Sequence, residues 1–190
     1  EPLVAREAIE RLVRLRRQGI SVPVPRRLAI RAVKDRLTLM ALVQRTLGTL
    51  EGVRGEGPEL FARAVRERWS SALDEIFQIL ALIHPPEAML DARRNLSGTA
   101  QAKGNALEYL EYTLHRKIGA PLAELVDAGA IPTPPGREDV FAKWSNASDP
   151  WMRACALFAR ATIDGSLPPE DPHPLVAQTR QHVLSMQERT

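Results

Sequence analysis

Between residues 61 and 83 the large apolar residues Phe61, Val65, Trp69, Leu73, Ile76, Leu80 and Ile83 return at intervals of three or four. That spacing lays them along one side of an α-helix about six turns long. Such a stripe must be covered, and the rest of the chain offers more of the same. Val4, Ala8, Leu12 and Leu15 mark a helix over residues 2 to 17 that Gly19 ends. Ile30, Val33, Leu37, Met40 and Leu47 mark another over 26 to 50, which Gly52, Gly55 and Gly57 end as a flexible connector. Alternation of the strand type is confined to the short stretch Ile20, Ser21, Val22, Pro23, Val24. The expected fold class is therefore all-α.

Proline and glycine set the remaining boundaries. Pro85 disfavours helical geometry at His84, and Pro86 suits the first position of a helix over 86 to 96. Ser97 or Thr99 can cap the next helix, whose stripe is Leu107, Leu110, Leu114 and Ile118 and whose end is expected at Gly119. Pro121 is expected to open a short helix over 122 to 128, followed by an ordered loop from Gly129 to Gly136. A short helical segment is expected over 138 to 144. Asp149 then makes an N-cap with Pro150 in first helical position, ahead of a helix with Trp151, Ala154, Cys155, Phe158 and Thr162 inward. A proline-rich linker over 167 to 174 leads to a last helix over 175 to 187.

Three helices share a phrase, Ala72-Leu73-Asp74, Ala106-Leu107-Glu108 and Ala156-Leu157. A small residue beside a large one lets antiparallel helices approach closely, and each pair exposes an apolar edge that the next pair covers. The expected architecture is a short α-solenoid of antiparallel helical pairs. Residues 1 to 55 would be a basic helical segment serving as first repeat or connector, residues 56 to 166 the repeats, and residues 167 to 190 a linker with a terminal helix.

Longer phrases carry a resemblance. Ala81-Leu82-Ile83-His84-Pro85-Pro86-Glu87, Asn105-Ala106-Leu107-Glu108-Tyr109-Leu110-Glu111 and Asp149-Pro150-Trp151-Met152-Arg153-Ala154-Cys155-Ala156-Leu157, in this order over roughly residues 60 to 162, resemble the HEAT-repeat region of bacterial ATP/ADP-translocase-like, nucleotide-antiporter-like membrane proteins. The resemblance implies a HEAT-like stack acting as a cytosolic extension of a transporter-like protein. Asp149 and Arg153 are similar to the Asp and Arg that tie HEAT repeats together, and with Ala106, Leu107 and Leu157 they are expected to be structural. Gly104 departs from the pattern, being a poor helix former that close packing would explain. The opening Glu1-Pro2, in place of methionine, reads as an excised piece of something longer.

Charge is unevenly spread. Residues 1 to 54 hold 12 Lys and Arg against 5 Asp and Glu, a net +7 that leaves −4 for the remaining 136 residues. Arg11, Arg14, Arg17, Arg26, Arg27 and Arg31 form an expected patch for an anionic surface. The expected partners are a protein, either the chain's own membrane domain or another, and an anionic membrane surface. Nucleic acid bound by the basic helices is the alternative, disfavoured because residues 1 to 60 contain no aromatic side chain for base stacking.

Catalytic chemistry is not expected. His84, His115, His173 and His182 have no metal-ligand spacing, and His84 reads as a cation at a helix C-terminus. The single cysteine, Cys155, shares an inward face and reads as an inert thiol, consistent with a reducing compartment. No cofactor or metal is expected. No apolar run approaches the roughly 18 residues of a bilayer span, and the expected location is the cytoplasm, tethered to the inner membrane in a full-length protein.

Overall fold

The computed structural model describes residues 2–127 and 137–188. The expected loop from Gly129 to Gly136 lies outside them. Among the described residues the secondary structure is helical, with α1 (Pro2–Arg17), α2 (Arg26–Leu50), α3 (Glu56–Ala81), α4 (Pro86–Asn95), α5 (Ala100–Thr113), α6 (Arg116–Asp127), α7 (Arg137–Ser145), α8 (Pro150–Asp164) and α9 (Pro174–Gln187). No helix among them is long and apolar enough to cross a membrane. The chain divides into two compact units, each built from two stretches. Unit 1 takes residues 1–41 and 70–130, unit 2 residues 42–69 and 131–190. The boundaries fall inside α2 and α3, so each of those helices contributes one stretch to each unit.

In unit 1, α1 packs on α4, α4 on α5 and α5 on α6. The inward face of α1 is rotated from the one its periodicity suggests. Val13 is buried, whereas Ala8 is exposed and Leu15 is 37% exposed. Half-buried Arg16 explains the turn, since its Nη1 donates to the Ala81 carbonyl at 3.1 Å, a group left without a helical partner at the end of α3. The buried line of α2 runs through Val33, Leu37 and Met40 and continues to Val43 and Leu50, leaving Ile30 and Leu47 half-buried.

The boundary between α5 and α6 also differs from expectation. α5 stops at Thr113, and Leu114 is in extended geometry (φ −92°, ψ 148°). The next helix begins two residues later, capped by His115, whose Nδ1 accepts from the Lys117 amide at 3.2 Å. Gly119 is therefore not a stop. It lies buried within α6, where a Cβ would meet the Leu110 carbonyl at 3.3 Å and Glu111 Cα at 3.5 Å, so its lack of a side chain permits the close crossing of α5 and α6. Pro121 likewise sits inside α6 and does not open it. Gly104 has nothing within 4 Å of where its Cβ would be, so close packing does not explain it.

In unit 2, α7 packs on α8 and α8 on α9. Phe61 is fully buried, stacked on Phe141 (centroids 5.8 Å apart) and edge-on to Trp144 (6.1 Å, 88°); each such pair contributes about 0.5–1.5 kcal/mol beyond the area it buries. The buried indole of Trp144 donates to Thr46 Oγ1 at 2.7 Å, and Thr46, also fully buried, donates to the Leu42 carbonyl at 2.7 Å. This chain satisfies two polar groups that would otherwise be stranded in the core. α8 buries Met152, Ala154 to Ala159 and Ala161. Trp151 is not among its inward residues, being 44% exposed in the first turn, and Thr162 is exposed as well.

The tightest crossing in unit 2 is at Gly57. It belongs to the first turn of α3, not to a flexible connector, and a Cβ there would lie 2.9 Å from both Ala159 Cα and the Phe158 carbonyl of α8. Thr99 and Asp149 cap α5 and α8 as their sequence positions suggest, accepting from Ala102 and Trp151 amides at 3.3 and 3.0 Å. Of the shared Ala-Leu phrases, Ala72, Leu73, Ala106, Ala156 and Leu157 are buried, and Leu107 is half-buried.

Candidate anion-binding face

The basic residues expected to form one patch fall into two chemical groups, both in unit 1. On α1, Arg11 Nη2 meets Glu7 at 2.6 Å and Arg17 Nε meets Glu87 at 2.6 Å. These two are exposed and already have carboxylate partners. Arg14, Arg26, Arg27 and Arg31 are also exposed, and none has a carboxylate partner among the described residues. Arg27, Arg31 and Lys34 follow one another at helical spacings of four and three, so α2 carries a line of cations, with Asp35 one turn beyond Arg31 and unpaired with it.

Beside that line, Arg26, Ile30 and Lys34 of α2 face His115, Lys117 and Ile118 at the start of α6 across a cleft of about 360 Å³. Lys34 and Lys117 have no ion-pair partner among the described residues. No carboxylate lines the cleft, and its apolar part comes from the two isoleucines. The Arg26 field reaches further, because burial first, then Arg26 and Arg16, hold the His84 pKa below its usual 6.5. His84 therefore favours the neutral form, which replaces the expected helix-terminal cation. Its backbone still closes α3, donating to the Leu80 carbonyl at 2.9 Å.

Arg45, Arg54, Arg63, Arg66 and Arg116 likewise have no carboxylate partner among the described residues, whereas other cations are paired. A second pocket in unit 1, among α1, α3 and α4, is lined by Arg6, Glu10, Asp74, Glu75 and Arg93. There Arg6 pairs with Glu10, Arg36 with Glu75, and Arg93 with Asp74 at 2.7 Å. In unit 2, Arg153 grips Asp171 through Nε and Nη2 (3.0 and 3.2 Å) and donates from Nη1 to the Ala147 carbonyl at 2.8 Å. Arg153 thus ties the segment before α9 to the turn before α8. Its side-chain carboxylate partner is Asp171, while Asp149 is occupied as a cap. The His173 amide and then Arg153 hold the Asp171 carboxyl below the usual carboxylate range.

Among the described residues no group of three metal-ligating side chains converges. Cys155 is buried, and desolvation, followed by Asp149 and Glu67, pushes its thiol up to about 12. A thiol so shifted carries almost no thiolate at neutral pH and is a poor nucleophile.

Two members of the cleft, His115 and Lys117, are not apparent when the helix is drawn from its stripe alone, because that drawing runs the helix through Ile118 and puts both residues mid-helix. The sequence signal is the pair His115-Arg116, a side chain able to cap followed by a fresh helical start. No family model matches the chain, and neither a curated protein nor a solved structure is significantly similar to it.

Proposed function

We propose that this chain is a HEAT-like interaction module that binds an anionic partner through the basic face of unit 1, as a cytosolic extension of a transporter-like membrane protein. The observation that carries the reading is the clustering of exposed cations without carboxylate partners on α1 and the first half of α2. Arg14, Arg26, Arg27, Arg31 and Lys34 stand without carboxylates, whereas Arg36, Arg93 and Arg153 are each paired. Uncompensated like charges repel one another, and an anionic surface relieves that repulsion. The helical-repeat part is supported by the packing of helices on their sequence neighbours, α4 on α5 on α6 and α7 on α8 on α9. The membrane link is supported by the three phrases alone.

Flotation with vesicles containing phosphatidylglycerol tests the anionic-surface part. Binding is expected at low salt and lost as the Debye length shrinks below about 10 Å near 0.1 M. The triple substitution Arg14→Ala, Arg27→Ala, Arg31→Ala should weaken it. Binding that survives in zwitterionic vesicles contradicts the reading. Saturable binding to duplex DNA with no vesicle binding would turn it to nucleic acid. A coding sequence with no membrane-spanning helix ahead of residue 1 removes the transporter link.

A further inference from the structure

We infer that the cleft between α2 and α6 is a binding site for a phosphate dianion, carried by a phosphomonoester, by pyrophosphate or by inorganic phosphate. The inference deepens the reading of unit 1 as an anion-facing unit and rests on it, but names a bounded site instead of a diffuse surface.

Arg26, Lys34 and Lys117 bring three full positive charges to one concavity from two helices, and none of the three has a carboxylate partner among the described residues. Holding them together without a counter-charge costs free energy that a ligand of two negative charges offsets better than a carboxylate does. Their donor chemistry suits phosphate oxygens. Arg26 offers a planar fork, and the two lysines offer compact ammonium groups with several donors each. His115 adds a ring N–H donor. Its Nδ1 accepts from the Lys117 amide, which puts the ring proton of the neutral form on Nε2. Because that amide and the two that follow already bond to His115, recognition falls to side chains and not to the start of the helix.

Ile30 and Ile118, half-buried and buried, supply the apolar part of the lining, and low local polarity strengthens charge attraction at close range. The volume of about 360 Å³ lies at the lower end of small-ligand pockets and accommodates a phosphate with a modest substituent. The charge-balanced pocket among α1, α3 and α4 serves as an internal contrast, since it offers an anion no net attraction.

The test uses the whole chain with two sets of variants. Calorimetric titration with inorganic phosphate and with pyrophosphate should give saturable binding. It should weaken by at least about tenfold in Lys34→Ala/Lys117→Ala, and survive in Arg14→Ala/Arg27→Ala/Arg31→Ala. Vesicles containing phosphatidic acid, which exposes a phosphomonoester, are compared with vesicles of equal charge made with phosphatidylglycerol. Preference for phosphatidic acid that disappears in the lysine variant assigns the phosphate to a lipid headgroup. Soluble binding without that preference assigns it to a small molecule.

An independent readout is the imidazole titration of His84 by NMR. Phosphate beside Arg26 should screen that charge and move the His84 pKa upward, toward its usual value. Saturable binding with no movement of His84 places the anion elsewhere and overturns the site. Binding to both anionic vesicles that ignores the lysine substitutions but fails in the arginine triple variant overturns the cleft and leaves the surface reading standing. No binding of phosphate, pyrophosphate or either vesicle overturns both. Circular dichroism of each variant separates loss of binding from loss of fold, and Lys34→Arg/Lys117→Arg, which keeps the charge, should retain binding.

Discussion

Both units bury an apolar core and hold ion pairs, but the contacts that join their helices differ in emphasis. Unit 1 places ion pairs around its helices, Arg17 with Glu87, Arg36 with Glu75, Arg93 with Asp74 and Lys103 with Asp127, and leaves a further set of cations free of carboxylates. Unit 2 has its own part-buried ion pair, Arg153 with Asp171, and joins to it contacts made without charge: the Phe61, Phe141 and Trp144 cluster, the Trp144 to Thr46 bond, and the crossing of α3 with α8 at Gly57. Exposed ion pairs contribute little each, while close-packed cores respond to a single methyl group. The difference teaches that substitutions of similar size should act very unequally in the two units.

The strongest way to break that contrast is Gly57→Ala. The added carbon would press on the α8 backbone, which can give only by moving the helix, and the expected cost is about 3 kcal/mol. Chemical denaturation measures it, and hydrogen exchange should show lost protection in α7 and α8 more than in α4 and α5. Equal loss in both units would abolish the distinction. Next in size is Thr46→Val, which leaves the Trp144 indole buried without an acceptor at a cost of about 2 kcal/mol. Adding Trp144→Phe should then cost less than it does in the wild-type background, a coupling that a double-mutant cycle reads directly. Smaller, and opposite in sign, is Gly104→Ala on the open surface of α5. With no atom near the new carbon, it should stabilise by roughly 0.5–1 kcal/mol.

The smallest effect is one of pH. The folded His84 pKa lies below the unfolded value of 6.5, so the unfolded chain binds the proton more readily. Stability from this residue is therefore full above pH 6.5, falls as the pH drops below it, and levels off once the pH is beneath the folded pKa. Denaturation curves for wild type and His84→Gln from about pH 8 to about pH 5 should diverge only in the acid half, with the variant declining less. A larger acid loss in the variant would contradict the assignment.

What local sequence dictates was legible. The spans of α1 and α2, the cap and proline that open α8, and most of the buried stripe of α3 follow from spacing, capping chemistry and proline geometry within a few residues of each other, although Trp69 is half-buried and Ile83, also half-buried, lies past the end of α3 at Ala81. What depends on distant partners was not. Arg16 turns the face of α1 because an orphan carbonyl lies 65 positions away, at Ala81. Gly57 and Gly119 look like stops, and only the helix lying against each one shows why a side chain is excluded. Trp151 has the spacing of an inward residue but stands in the first turn of α8, with nearly half of its surface exposed. For the candidate site, the excess of arginine was visible in the sequence, but which cations lack partners was not, because pairing across helices decides it. The cleft depended on placing the α5 to α6 break at Leu114, and periodicity alone runs past that break.

Cys155 gives unit 2 a native clock. It is the chain's one cysteine, and it is buried in α8 with its thiol held in the protonated form. A thiol reagent can therefore reach it only when α8 becomes exposed, and a single modification reports each chain that has opened. When closing is faster than reaction, the ratio of the observed rate to that of an unstructured thiol gives the free energy of the opening that exposes this helix. Followed across denaturant concentrations, the same rate tells whether unit 2 opens by itself or only when the whole chain unfolds.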